Sequence, residues 1–149
     1  MSSYNKAIVI LLADDDEDDR MLTTDALHVS KLANDLKTVN DGEELMDYLF
    51  HRGKYAAPGQ APRPGLVLLD LNMPHIDGVR ALQQLRATSL FHDVPVIILS
   101  GDDDPAKRRE VAHLGIFRFL KKESNSANVV SALNDFLGFY NYEASSQAE

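Results

Sequence analysis

Five short apolar runs punctuate the chain, at residues 7–13, 36–39, 66–71, 94–99 and 116–120, and they are rich in Leu and β-branched side chains. Three of them are nearly continuous instead of alternating, the pattern of strands buried on both faces of a parallel sheet. Between the runs the apolar period lengthens. Residues 20–29 predict a first helix, and residues 43–51 a second with Leu45, Met46, Leu49 and Phe50 on one side. Val79, Leu82 and Leu85 mark a third. Residues 105–114 predict a fourth, with Asp104 as N-cap and Pro105 at the first helical position. In the last, Val129, Leu133, Phe136, Leu137 and Tyr140 fall on one apolar stripe. Strand and helix thus alternate five times, which predicts an α/β fold with right-handed crossovers and helices on both faces of a parallel sheet. The Pro- and Gly-rich stretch 52–65 predicts a long loop before the third strand. The small polar residues 143–149 predict a fraying tail.

Composition mostly excludes. A length of 149 residues suits one domain, read here as 1–149 with its core at about 7–140. The formal net charge of −8, with Lys107, Arg108 and Arg109 as the densest basic group, argues against a nucleic-acid surface. The absence of Cys excludes thiolate catalysis, disulfides and Cys-ligated zinc. Residues 1–6 are polar without a signal-peptide pattern, and no apolar run approaches the ~20 residues of a spanning helix. The expectation is a soluble cytoplasmic protein with no membrane contact.

Chemistry gathers at the ends of the apolar runs, where open parallel sheets bind ligands. The first run leads into Asp14 and Asp15. The third reaches Asp70, with Asn72 two residues on. The fourth is followed by Ser100, and the fifth by Lys121 and Lys122. Three crowded carboxylates raise each other's pKa and call for a cation. With oxygen donors only, the cation is hard, and Mg²⁺ is the default. A Lys adds positive charge where phosphoryl transfer develops negative charge, a Ser hydroxyl can donate to a phosphoryl oxygen, and one carboxylate can be the nucleophile. The neighbouring acids Asp16, Glu17, Asp18 and Asp19 read as a helix start, with Asp16 as cap and the rest favoured by the helix dipole. Asp14, Asp16, Asp18 and Asp25 also fit the spacing of a calcium loop. Asp19 where that loop needs Gly, and a strand in front, argue against it. Asp102, Asp103 and Asp104 predict loop and cap positions, and His28, His51, His75, His92 and His113 have no ligand-like spacing.

These pieces together resemble a response-regulator receiver domain over residues 7–140. They are Ile10-Leu11-Leu12-Ala13-Asp14-Asp15, then Leu68-Leu69-Asp70-Leu71-Asn72-Met73-Pro74 with Asp77-Gly78, then Val96-Ile97-Ile98-Leu99-Ser100-Gly101, and Phe119-Leu120-Lys121-Lys122. The resemblance implies a flavodoxin-like (βα)5 fold with strand order 2-1-3-4-5. It implies Asp70 as phosphoacceptor, with Mg²⁺ (or Mn²⁺) held by Asp14, Asp15, Asp70 and the Asn72 backbone carbonyl. It implies Ser100 as switch hydroxyl and Phe119 as switch aromatic, and a variable, partner-facing residue near Asp102. Counting three residues on from Phe119 selects Lys122 as the essential Lys, with Lys121 facing the other way. Glu123 stands where the family usually has Pro. The Asp14–Asp19 run, the long loop and the long final helix resemble, more narrowly, the small regulators paired with bacterial phytochrome histidine kinases.

The implied function is that of a stand-alone phosphoacceptor that takes its phosphoryl group from a kinase phosphohistidine. It signals by a change of the helix-4, strand-5, helix-5 face. A metal-dependent phosphatase is the enzymatic alternative, but Asn72 cannot serve as the general acid such enzymes need two residues after the nucleophile. A non-phosphorylated interaction module would lack Asp70 or the acidic pair. Phe136, Phe139, Tyr140 and Tyr142 exceed one core stripe and predict a homodimer through the last helix.

Overall fold

A computed structural model describes residues 7–32, 34–101, 104–123 and 125–148, with side chains described through residue 141. Its strands are β1 (Ile8–Ala13), β2 (Asn34–Val39), β3 (Leu66–Asp70), β4 (Val96–Ser100) and β5 (Arg118–Lys121). Its helices are α1 (Glu17–Val29), α2 (Gly42–Leu49), α3 (Gly78–Ala87), α4 (Pro105–Ala112) and α5 (Ala127–Ala148). All strand pairs are parallel, in the order β2-β1-β3-β4-β5. Among the described residues no helix is long and apolar enough to cross a membrane.

The sheet divides the core in two, and this explains the continuous apolar runs. On one face Leu11, Ala13, Val67, Leu69, Val96 and Ile98 pack against Leu45, Met46, Leu82, Leu85 and Val111 of α2, α3 and α4. On the other, Ile10, Leu12, Leu66, Leu68, Ile97 and Leu99 meet Ala26 and Leu27 of α1 and Leu133 and Phe136 of α5. Successive residues point to opposite faces, and here both faces are dry. The edge strands β2 and β5 have one side in water, and their polar residues follow from that.

Capping and backbone geometry set the element ends, which differ from the apolar pattern in several places. α1 starts at Glu17 because the Asp16 side chain accepts from Asp19 N. α2 stops at Leu49, and His51 follows with φ 54°. β4 starts only after Pro95, which has no N–H for a ladder. α4 stops at Ala112, short of the turn through Gly115 at φ 72°. Asp104 caps α4, with Pro105 in its first turn. Asp102 and Asp103 lie outside the described residues.

The helix α5 continues to Ala148, so residues 143–148 are helical backbone. Ala, Ser, Gln and Glu are polar or small, but all tolerate a helix. The aromatics of α5 are also largely used at home: Phe136 is buried, Tyr140 packs on it, and Phe139 remains 44% exposed beside Phe117. The long loop is pinned to α2. Tyr48 Oη donates to Pro62 O at 2.7 Å, His51 Nε2 to Ala61 O at 2.9 Å and Tyr55 Oη to Glu44 Oε2 at 2.6 Å.

Candidate functional site

Parallel pairing brings the carboxyl ends of β1, β3, β4 and β5 to one edge of the sheet. Asp14 follows β1, Asp70 closes β3, Ser100 closes β4 and Lys122 follows β5. Asp14, Asp70 and Ser100 are buried, while Asp15 is exposed. Backbone amides orient both buried acids: Asp16 N donates to Asp14 Oδ1 at 2.9 Å, and Asn72 N to Asp70 Oδ1 at 3.0 Å. Lys122 N donates to Ser100 O, which seats the start of the last loop against β4.

The Lys122 side chain crosses the site. Its Nζ lies 3.0 Å from Asp70 Oδ2, 3.3 Å from Asp14 Oδ2 and 2.7 Å from Asp19 Oδ2. Lys121 is exposed, as neighbours on opposite faces require. Burial disfavours the charge on Lys122, but hydrogen bonds to Asp19 and Asp70 outweigh it and hold the ammonium well above the usual lysine range. Burial pushes the Asp14 carboxyl up from 3.8 to about 6, against the pull of the Asp16 amide and Lys122. At 3.3 Å Lys122 attracts Asp14 Oδ2 without making a hydrogen bond to it, and among the described residues this oxygen has no other donor.

An under-satisfied buried carboxylate oxygen is what a cation site supplies. Asp14, Asp15 and Asp70 can each offer an oxygen within 4.8 Å of the others. The set contains no nitrogen or sulfur donor, so it fits a hard divalent cation. A cleft of about 450 Å³ opens beside it, lined by Asp15, Leu71, Asn72, Met73, Asp77 and Lys107. Lys107 Nζ reaches Asn72 Oδ1 at 3.4 Å.

Two glycines let the surrounding backbone close around Asp70. A Cβ on Gly78 would overlap Asp70 O and come 2.6 Å from Leu71 Cα, so only Gly lets the start of α3 sit on the end of β3. A Cβ on Gly42 would overlap Ile76 O in the same loop. Phe119 pairs with Ile98 across β4 and β5, half-buried, with the Arg108 guanidinium 4.9 Å above its ring.

The structure therefore brings Asp14, Asp15, Asp70, Ser100 and Lys122 to one strand edge. Asp19, read from the sequence as a helix-start acid alone, joins them through Lys122. Helix-dipole logic accounted for it locally, and its partner is 103 positions away.

Residues 10–134 match the response regulator receiver domain family. The chain belongs to this family. As a receiver it is similar to response regulator Rcp1 of Synechocystis sp., at 30% identity over 139 residues, covering 91% of this chain and 90% of Rcp1. The Mn²⁺-bound form of Rcp1 superimposes with a TM-score of 0.76, covering 89% of this chain and 94% of that one. The phosphorylated cyanobacterial phytochrome response regulator RcpA does so at 0.77 and 30% identity, covering 90% and 94%. Response regulator RPA3017, in red light signaling of R. palustris, does so at 0.78 and 33%, covering 89% and 92%. The receiver thus has the flavodoxin-like fold, resembles phytochrome response regulators, and carries a strand-end acid cluster that fits a phosphoacceptor role.

Proposed function

We propose that this receiver accepts a phosphoryl group on Asp70 from the phosphohistidine of a phytochrome-type sensor kinase in the cytoplasm, and acts as a regulator of the same extent as Rcp1. One observation carries the reading. The buried Asp70 and Asp14 carboxylates share a half-buried Lys122, and among the described residues a buried Asp14 oxygen is left without a hydrogen bond. Asp14, Asp15 and Asp70, with the Asn72 backbone carbonyl, would hold Mg²⁺ (or Mn²⁺). When bound it supplies positive charge to the carboxylates and to the phosphoryl oxygens.

An Asp70 oxygen attacks phosphorus as the P–N bond to the kinase histidine breaks, and the histidine nitrogen leaves with the electron pair. Lys122 donates to the phosphoryl oxygens, and the Ser100 hydroxyl turns to do the same. Phe119, one strand over, then moves inward from beneath Arg108, and the α4–β5–α5 face changes shape. A second copy docks on that face, where Phe139 stands exposed beside Phe117. Support for the kinase class comes from the phytochrome regulators among the structural relatives.

Asp70→Asn is expected to abolish labelling by radioactive acetyl phosphate in Mg²⁺, with the fold intact by circular dichroism. Label surviving on another residue would sink the assignment.

A further inference from the structure

The contact between Lys122 and Asp19, at 2.7 Å, is the shortest of the three the ammonium makes with carboxylates. An acid in the first turn of a helix is already favoured by the helix dipole and needs no such partner. A circuit of hydrogen bonds that starts and ends in the site fixes Asp19 in place. Asp14 Oδ1 accepts from Asp16 N–H, and Asp16 Oδ1 accepts from Asp19 N–H. Asp19 Oδ2 accepts from Lys122 Nζ, which returns to Asp70 and Asp14. The cap of α1 is thereby also the mount of Asp19. The Arg20 guanidinium closes the same turn by donating to Asp14 O at 2.7 Å.

Exposure divides the partners of Lys122. The Asp19 side chain is 32% exposed at the rim, whereas those of Asp14 and Asp70 are essentially buried. Lys is a point charge on a flexible four-carbon stem. Held only by Asp70 and Asp14, it would settle onto the acceptor carboxylate, blunt its nucleophilicity and repel a cation. Held also by Asp19, it is shared between the rim and the buried acid, 2.7 Å from Asp19 Oδ2 and 3.0 Å from Asp70 Oδ2.

We propose that Asp19 is a positioning residue for phosphoryl transfer, holding the Lys122 ammonium at the rim of the site where it meets the incoming phosphoryl oxygens. The inference rests on the reading of Asp70 as acceptor and adds a residue to it. Misplacing a charged group in such a site costs rate, because the group acts only at the geometry of the transition state.

The test is the phosphorylation rate of the full chain in Mg²⁺ at saturating acetyl phosphate. Asp19→Asn is expected to lower it about tenfold, the equivalent of a charge-assisted hydrogen bond, and Asp19→Glu to recover most of the loss. In a Lys122→Gln background Asp19→Asn is expected to cost nothing more. An unchanged rate in the native background, or the same loss in both backgrounds, overturns the proposal. The ammonium signal of Lys122 in proton–nitrogen NMR supplies a readout independent of turnover. It is expected to lose its protection from hydrogen exchange in Asp19→Asn, and an unaltered signal also overturns the proposal. Asp70→Asn run in parallel separates the two ideas: label persisting there defeats the acceptor reading. Label lost there, with Asp19→Asn at the native rate, defeats only the role of Asp19.

Discussion

Asp14 is the residue at which stability and the proposed metal binding meet. Its carboxyl ionises at about 6 in the fold, against an ordinary value of 3.8, because it is buried. Between those values the folded chain holds a proton that the unfolded chain has released. The stability contributed by this group is therefore fully present below the ordinary value and is lost as pH rises through about 6. Above that pH the metal-free fold carries a buried negative charge, which a divalent cation relieves. We expect Mg²⁺ to raise the melting temperature at pH 7.5 and to have little effect at pH ~4.5, where a proton competes for Asp14. In chelator at pH 7.5, Asp14→Asn is expected to melt a few degrees higher, at roughly 2–4 °C per kcal/mol in a domain of this size. Differential scanning calorimetry checks both; a metal effect independent of pH would remove Asp14 from the cation site. Much of this residue-level chemistry was legible in the sequence. Asp14 and Asp70 each stand at the end of an apolar stretch, and the family resemblance, counted from Phe119, separated Lys122 from Lys121. Asp19 was not legible, because a capped helix start explains an acid at that position without reference to any residue far along the chain.

At the scale of elements, backbone contact decides what substitution is tolerated. Gly78 holds the start of α3 against β3 with no room for a methyl group, whereas a Cβ on Gly138 in α5 meets nothing within 4 Å. Gly78→Ala is expected to destabilise by about 1–3 kcal/mol through overpacking. Because it displaces the peptide that carries Asp70, it should also slow phosphorylation. Gly138→Ala is expected to stabilise by up to ~1 kcal/mol, the helix-propensity difference alone. Urea midpoints measure both changes, and equal effects at the two sites would contradict the packing described here. The five strands and five helices were legible from periodicity, because strands buried on both faces cannot hide their apolar runs. Their ends were less so. Pro95 and the left-handed His51 are local backbone events superimposed on the apolar pattern, whereas the Asp16 cap was read from the acids after the first strand. The length of α5 was obscured for a different reason: residues 143–148 carry no apolar stripe, so the sequence leaves no period to read there.

At the scale of the whole molecule, the proposed pairing of two copies concerns the α4–β5–α5 face. Phe136 and Tyr140 are engaged by their own domain, so among the described side chains the aromatic surplus that suggested a dimer reduces to Phe139 and its neighbour Phe117, while the side chain of Tyr142 lies outside the described residues. A single exposed aromatic is a small anchor, and the association should be correspondingly weak before phosphorylation. Sedimentation velocity across a concentration series, with and without acetyl phosphate, is expected to show a dimer that strengthens on phosphorylation. Phe139→Glu should suppress it. A strict monomer in both states would refute the pairing.

The division of the core by the sheet also sets a timetable for folding. The layer formed by β1, β3, α1 and α5 is completed by Leu133 and Phe136, close to the end of the described chain, and is laced by bonds that span most of its length. Lys122 meets Asp19 at one end of the α1–α5 seam, and Asn134 accepts from the Lys31 amide at the other. During synthesis the opposite layer, built from β1, β3, β4 and α2 to α4, has all its parts first. The apolar backs of Ile10, Leu12, Leu66 and Leu68 stay uncovered by α5 until the last helix has left the ribosome. The nascent chain must therefore pass through a stage with one finished side and one open one. The seam that seats Lys122 is among the last of the described parts to close, so the proposed phosphoacceptor site is assembled only once α5 has been made.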